Sequence, residues 1–190
     1  MVLLALAPAA TADAATYCVG VRSAGCTAKD TAADAFASAR ADTDRDTILL
    51  GRISEAGAFA DGTGRPVRVI GLGADATRLR AGATGATLRL LDPGSSARAL
   101  RVDGGAAAPA LQIDDGASLE SSVVLGRVRV RGGAAGLSSV LVDAASPAVE
   151  LTCDASSARL SLGHVTVRGS DLGEVRARLE AVRRLTEGLD

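Results

Sequence analysis

The most constraining feature of the chain is a short unit of alternating apolar and polar residues that recurs between Ile48 and Arg168. Each copy is a strand-like run that ends at glycine, aspartate or another small residue. Alternation with period two places apolar side chains on one face of a strand and polar side chains on the other. The pattern therefore predicts strands with one buried face. The predicted buried positions are Val67, Val69, Leu88, Leu90, Leu111, Ile113, Val128 and Val130.

The spacing of these runs predicts how the strands are connected. Starts recur at intervals of about 17 to 23 residues, within the range of repeat proteins. The linkers are mostly under about ten residues, whereas a helical crossover between parallel strands needs a dozen or more. The predicted fold is therefore all-β, a right-handed parallel β-helix (a solenoid) with an N-terminal cap helix. The repeating starts are Val67, Leu88, Leu111, Val128 and Val149.

An antiparallel sandwich remains the second possible fold. Asp103-Gly104 and Asp115-Gly116 are typical of hairpin turns, and sandwiches also have short strands at regular spacing. The shortage of aromatic residues favours the coil, because its narrow interior suits stacked Val, Leu, Ile and Ala. The only aromatic residues, Tyr17, Phe36 and Phe59, are expected to belong to the cap.

The N-terminal part of the chain predicts export. Residues 1–14 are a signal-peptide-like apolar run that ends at Ala12-Asp13-Ala14, a small-residue site typical of signal cleavage. The basic region that normally precedes such a run is missing, which suggests a start assigned too far downstream or a trimmed chain. A buried apolar segment is the alternative interpretation, and the run is too short to span a bilayer. We therefore expect a secreted, extracellular protein.

The remaining chain divides into an N-terminal cap, 15–46, a parallel β-helix, 47–170, and a C-terminal segment, 171–190. In the cap we expect a helix from Thr31 to Arg40, with Asp30 as N-cap and Ala33, Phe36 and Ala37 on its inner face. The C-terminal segment has apolar residues at helical spacing but also fits period two, so it is a helix or a final coil.

The cysteines predict one disulfide and no metal site. Cys18 and Cys26 are close in sequence, which in an exported protein favours a local disulfide. Cys153 takes an inward position after Val149 and Leu151 and is expected to be a buried thiol. Three cysteines and one histidine do not supply the ligand pairs of a zinc site. We expect neither a metal nor a cofactor.

Two stretches of the chain resemble a known group of folds. Residues 47–55 and 67–82 are similar to the opening coils of secreted right-handed parallel β-helix proteins, including the pectin lyase-like group, and the resemblance extends over about Asp30 to Arg168. It implies a cap helix followed by coils, but the scaffold carries lyases, hydrolases, esterases and non-enzymatic proteins. Ile53 replaces the usual tyrosine. The residues that match are Gly71, Gly73, Thr77, Leu79 and Gly82.

The bias toward arginine over lysine, with Lys29 the only lysine, suggests an actinobacterial source, and the small number of coils suggests a truncated chain.

Residues 71–76 also satisfy a dinucleotide fingerprint, and Asp92 follows about twenty residues after it. Only a very short helix could follow, however, and a nucleotide site needs a helix N-terminus under the pyrophosphate. We therefore interpret these glycines as a turn.

Candidate catalytic residues are incomplete. Polygalacturonase-like enzymes use paired aspartates and Gly-His-Gly, and the nearest equivalents are Asp114-Asp115 and Gly163-His164, about fifty residues apart, which is more than two coils. An inverting glycosidase needs two carboxyl groups about 6.5 to 9.5 Å apart. We expect His164 to be an exposed strand residue. Several aspartates close strands and could together hold calcium. Aspartate is also a routine turn former, and we favour that interpretation. These residues are Asp92, Asp114, Asp115, Asp143 and Asp154.

The overall charge of the chain limits the classes of partner that it can bind. The formal net charge of −1 at pH 7, without basic runs or stacking aromatics, disfavours nucleic acid. The leading hypothesis is a secreted, non-catalytic β-helix protein with a display or contact role, whose partner is an extracellular or cell-wall polysaccharide. The alternative is a polysaccharide lyase or hydrolase of the pectin lyase-like group. The sequence assigns no catalytic, cofactor or metal residue and leaves the oligomeric state open.

Overall fold

The computed structural model of the chain describes residues 14–41, 44–62, 64–114, 116–131, 134–144, 149–152 and 159–168. The chain enters through β1 (Thr16–Val19), β2 (Thr27–Ala28) and α1 (Ala32–Ala39). Strands then follow coil by coil: β3 (Asp46–Leu50), β4 (Ile53–Gly57), β5 (Phe59–Ala60); β6 (Val67–Ile70), β7 (Thr77–Ala81), β8 (Leu88–Leu90); β9 (Ser96–Arg98), β10 (Arg101–Asp103), β11 (Leu111–Asp114); β12 (Ser118–Glu120), β13 (Val123–Leu125), β14 (Val128–Arg131); β15 (Ala134–Ser138), β16 (Leu141–Asp143), β17 (Val149–Thr152); β18 (Arg159–Gly163), β19 (Thr166–Arg168).

These strands form three sheets, and each sheet takes one strand from each successive coil. The first sheet runs β18-β15-β12-β9-β6-β3-β1-β2, the second β19-β16-β13-β10-β7-β4, and the third β17-β14-β11-β8-β5. Every ladder between these strands is parallel. The predicted all-β parallel β-helix is thus confirmed, and the antiparallel sandwich is excluded. The right-handed winding stays a prediction, in line with the usual hand of parallel crossovers.

The register confirms most of the predicted repeat. Leu88, Leu111, Val128 and Val149 are successive partners along the third sheet, so the apolar side chains of one coil stack on those of the next. Val67 instead pairs with Asp46 in the first sheet and therefore belongs to a different column. All eight predicted core positions are buried. The core is a continuous stack of Val, Leu, Ile and Ala between the three sheets, with Phe36 of the cap helix and Phe59 at its N-terminal end. Phe59 lies on β5 of the first coil and not in the cap, where it was expected.

The cap helix is present, but its start and its buried face differ from the prediction. Its N-cap is Thr31, whose hydroxyl oxygen accepts a hydrogen bond from the Asp34 backbone N–H at 3.1 Å. Asp30 was therefore the wrong N-cap. Ala33 and Ala37, expected on the inner face, are exposed. The buried residues are Ala32, Ala35, Phe36 and Ala39.

Three contacts fasten the cap to the first coil, and a disulfide closes a loop within the cap itself. The Ala32 backbone N–H donates to the Glu55 carboxylate at 2.7 Å, and the Phe36 ring lies 5.8 Å from the Phe59 ring. The predicted disulfide is present between Cys18 and Cys26, and β1 pairs with β3. The cap therefore covers the N-terminal edge of the coil, where unpaired strand groups would otherwise invite pairing with another chain.

Other predictions concern residues outside the described ones. These are the signal-like run up to residue 13, Cys153, and the C-terminal segment 171–190. Among the residues that are described, no helix has the length and apolar character needed to cross a membrane.

A column of left-handed residues forms the corner between the first and second sheets. Ala99, Ser121, Ser139 and His164 have φ values of 55°, 45°, 54° and 53°. Each follows a first-sheet strand and precedes a second-sheet strand. His164 is exposed as predicted, but it lies in this corner rather than in a strand.

Substitution of Ala99 tests the strain in this corner. An L-residue in the left-handed region costs about 1 to 2 kcal/mol, and glycine avoids that cost. We expect Ala99→Gly to raise the free energy of unfolding by about 1 kcal/mol, measured by urea denaturation. Ala99→Val is the matched control and should lower it, because a β-branched residue fits positive φ poorly. A destabilised glycine variant would contradict this account of the corner.

Candidate functional site

The glycine-rich stretch 71–76 forms a turn, not a nucleotide site. It connects β6 to β7 without a helix. A Cβ atom on Gly71 would lie 2.2 Å from the Ala99 carbonyl oxygen, so only glycine fits. Thr77 is fully buried; its hydroxyl lies 2.8 Å from the Gly51 carbonyl oxygen and accepts from the Leu72 N–H at 2.9 Å. The motif therefore locks two coils together at a corner and presents no helix N-terminus for a phosphate.

The strand-closing aspartates are not brought together. Asp103 and Asp143 lie on the outer face of the second sheet, where Asp103 accepts hydrogen bonds from Arg78 and, at 2.7 Å, from Arg101. Asp92 lies in the turn after the third sheet and accepts from the Arg65 backbone N–H at 3.1 Å. Asp115 and Asp154 lie outside the described residues. In the described part of the chain, no cluster of three acidic, cysteine or histidine side chains could hold a metal ion.

A buried aspartate that the sequence did not single out organises the turn from the third sheet to the first. Asp61 is 3% exposed, and its carboxylate accepts from the backbone N–H groups of Leu91 and Asp92 and, at 2.5 Å, from the Ser95 hydroxyl. Burial raises the pKa of this carboxyl group, while its hydrogen bonds act in the opposite direction. Both carboxylate oxygens accept hydrogen bonds within the protein, so Asp61 has a structural role.

The outer face of the third sheet is the best candidate for a site. Arg89, Gln112 and Arg129 are successive register partners on β8, β11 and β14, one per coil. Neighbouring strands are about 4.8 Å apart, so the two arginine Cα atoms are about 10 Å apart with Gln112 between them. Two residues further along β11 and β14, Asp114 and Arg131 are also register partners and face the same side of the sheet. We call this set the arginine face: Arg89, Gln112, Asp114, Arg129 and Arg131.

Part of the arginine face is held rigidly. Gln112 is 7% exposed, and its side-chain amide donates to the Asp114 carboxylate at 3.1 Å. The Arg89 Nε atom is buried and has no hydrogen-bond acceptor among the residues that the structure describes. A cavity of about 340 Å³ opens over Arg89, Gln112 and Arg129, bounded by the loops that contain Ala86 and Pro109. An acceptor placed in this cavity could satisfy a donor that the protein leaves unpaired.

The arginine face is better suited to binding an anion than to catalysing a reaction. Arginine binds carboxylates through paired N–H donors, and two guanidinium groups about 10 Å apart match a chain with repeated carboxylates. The register places two acidic residues on this face, Asp114 on β11 and Glu150, the partner of Arg129, on β17. Both lie on one face of one sheet with β14 between their strands, whereas glycoside hydrolysis uses two carboxyl groups on opposite sides of a groove. His164 and Gly163 lie at the corner between the first and second sheets, away from Asp114 on the third.

The sequence did contain a signal for the arginine face. Arg89, Gln112 and Arg129 directly follow Leu88, Leu111 and Val128, the residues whose stacking was predicted. The next residue along each strand points to the opposite face. Aligning the polar residues in the register of the apolar ones would therefore have placed this set on one surface.

Comparisons with known proteins support the fold. Neither a protein family nor a curated protein matches the sequence. One similar solved structure is that of a mutant pectin methylesterase in complex with a hexasaccharide; it is 14% identical, with a TM-score of 0.51 over 80% of this chain and 67% of that chain. At this identity the similarity concerns the fold alone. It agrees with the predicted resemblance to pectin-related β-helix proteins, while export, an actinobacterial source and truncation stay predictions.

Proposed function

We propose that this protein binds an acidic polysaccharide along the arginine face, outside the cell, without cleaving it. The observation that carries the proposal is the alignment of Arg89 and Arg129 on either side of the buried Gln112. A linear chain with a carboxylate on its sugars can contact both guanidinium groups in succession. The similar solved structure also contains a carbohydrate, a hexasaccharide.

Acidic sugars are favoured over neutral ones because the face offers charge instead of aromatic rings. Tyr17, Phe36 and Phe59 are all at the N-terminal end, and the two phenylalanines are buried in the core. Recognition must then come from guanidinium groups and amides, which favour carboxylates. An extracellular location is part of the proposal and is supported by the disulfide Cys18–Cys26, since disulfides persist in oxidising compartments.

The alternative is a polysaccharide lyase or hydrolase. Two observations favour it: Asp114 lies beside Arg131 on the same face, and the similar solved structure is an enzyme. Against it, three of the described aspartates outside this face serve other contacts: Asp103 binds two arginines, and Asp61 and Asp92 accept backbone N–H groups. Assays of turnover decide between the two.

Calorimetry with the purified protein tests the proposal. We expect an unesterified galacturonate hexasaccharide to bind at least about tenfold more tightly than its fully methyl-esterified form, because esterification removes the charge that arginine recognises. Binding should weaken as salt rises, since exposed charges are screened. The same samples, assayed for reducing ends, unsaturated products and released methanol, should show no turnover. Equal affinity for both forms would contradict the proposal, and robust turnover would establish the alternative.

A further inference from the structure

The outer face of the first sheet carries a second group of arginines. Arg68 and Arg98 lie on neighbouring strands β6 and β9, and Arg45 reaches the same surface from the segment before β3. All three side chains line one concavity of about 390 Å³. We call this surface the basic groove: Arg45, Arg68, Ser96, Arg98, Ser118 and Glu120.

The three guanidinium groups of the basic groove form no ion pair with the described residues of the protein and outnumber the groove's one carboxylate, that of Glu120. The side chains of Arg68 and Arg98 make no hydrogen bond or ion pair within the part of the chain that the structure describes, and the Arg45 side chain donates only to the Ser96 hydroxyl at 3.3 Å. The second sheet shows the contrast. There Arg78 and Arg101 share the Asp103 carboxylate. Gathering like charges in one concavity is unfavourable unless a ligand of opposite charge offsets their repulsion.

We propose that the basic groove is a second binding site for a carboxylate-bearing polysaccharide, so that one protein bridges two polysaccharide strands. The groove and the arginine face belong to different sheets of the coil, with the apolar core between them. A polysaccharide chain bound to the arginine face therefore leaves the basic groove accessible to a second one. This inference goes beyond the function proposed above and shares its class of ligand.

The floor of the groove favours a sugar over a nucleic acid. It contains the hydroxyl groups of Ser96 and Ser118, which can exchange hydrogen bonds with sugar hydroxyls. A shallower concavity of about 260 Å³ continues from Ser118 past Gly136 and Ser138. Neither concavity is lined by an aromatic side chain, and single-stranded nucleic acids depend on aromatic stacking for much of their affinity.

Glu120 gives the proposal a test with a distinctive sign. Its carboxylate lines the groove, and Glu120 is the register partner of Arg98 on β12. It repels an anionic ligand and partly offsets the arginine charge. Glu120→Gln should therefore tighten binding at the groove by about threefold to tenfold. A residue with only a structural role would leave affinity unchanged or reduce it.

Calorimetric stoichiometry with the unesterified galacturonate hexasaccharide tests the bridge. We expect about two hexasaccharides per wild-type chain and about one for Arg68→Gln/Arg98→Gln, because each face is an independent site. The variant Arg89→Gln/Arg129→Gln should also bind about one, which now occupies the groove, and adding Glu120→Gln to it should raise the affinity of that remaining site. Unchanged melting temperatures confirm that the variants are folded.

The outcomes separate the two proposals. One hexasaccharide per wild-type chain, lost only on substitution of Arg89 and Arg129, overturns the second site and leaves the arginine face intact. One hexasaccharide per wild-type chain that is lost only on substitution of Arg68 and Arg98 overturns the arginine face and the bridge, and leaves the basic groove as the binding site. Tighter binding of a single-stranded oligonucleotide of equal charge than of the hexasaccharide overturns the assignment of the groove to polysaccharide.

Discussion

Replacing Asp61 with alanine is expected to lower the free energy of unfolding by about 3 to 5 kcal/mol. The carboxylate accepts hydrogen bonds from the Leu91 and Asp92 backbone N–H groups and from the Ser95 hydroxyl, and it is 3% exposed. Alanine would leave these donors buried without partners, and each costs about 1 to 3 kcal/mol when water cannot replace the lost acceptor. Chemical denaturation monitored by circular dichroism measures the change.

Asp75→Ala is the matched control for this prediction. Asp75 lies in the exposed turn between β6 and β7 and makes no hydrogen bond within the described residues. Its replacement should change the free energy of unfolding by less than about 0.5 kcal/mol. If Asp61→Ala costs no more than this control, the carboxylate does not hold the turn between the third and first sheets.

The effect of Asp61→Ala should also depend on pH. Burial raises the pKa of Asp61 above 3.8 in the folded protein, so the folded state binds this proton more tightly than the unfolded state does. The contribution of Asp61 to stability is therefore complete below the unfolded pKa and declines as pH rises through the folded pKa. The difference between wild type and Asp61→Ala should be larger at about pH 3.5 than at about pH 7. The opposite trend would mean that hydrogen bonding, not burial, determines the direction in which the pKa of Asp61 is shifted.

The second large effect is on binding. Arg89→Gln/Arg129→Gln should weaken the affinity of the arginine face for the galacturonate hexasaccharide by about 100-fold, since each guanidinium–carboxylate contact contributes about 1.4 kcal/mol at a partly exposed site. The Arg89 Nε atom is buried beside the cavity, so its loss removes a donor that the ligand would satisfy. Glutamine keeps part of the aliphatic stem and removes the charge. Calorimetry measures the change.

Arg80→Gln/Arg168→Gln is the matched control, because it removes the same charge from the outer face of the second sheet. Both arginines are exposed, and both lie on strands of that sheet. This variant should bind within about twofold of wild type, since long-range electrostatics are screened at physiological salt. Equal losses in the two variants would mean that net charge alone, and no defined face, governs binding.

The repeat could be predicted from sequence because a single physical constraint determines it. Leu88, Leu111 and Val128 must point inward, and their period-two neighbours must point outward, wherever a coil is stacked. The face of the cap helix could not be predicted in the same way. Both Asp30 and Thr31 are good N-caps, and alanine occurs on every side of the helix, so the apolar pattern does not distinguish the buried stripe.

The candidate site escaped prediction because its residues are distant in sequence and individually ordinary. Because the coils differ in length, Arg89, Gln112 and Arg129 become neighbours only when the strands are aligned by their apolar residues. Charge patterning along the sequence therefore shows no basic run, although the coil gathers arginines on two surfaces. Asp61 was missed for a related reason. In sequence it resembles any other aspartate before a glycine, and only burial distinguishes it from a turn former.

A crystal structure of the protein soaked with the unesterified galacturonate hexasaccharide tests the central claim most directly. We predict an intact oligosaccharide lying across β8, β11 and β14, with one carboxylate within about 3 Å of the Arg89 guanidinium and another near Arg129. An oligosaccharide bound only to the outer face of the second sheet, or cleaved products on the arginine face, would contradict it.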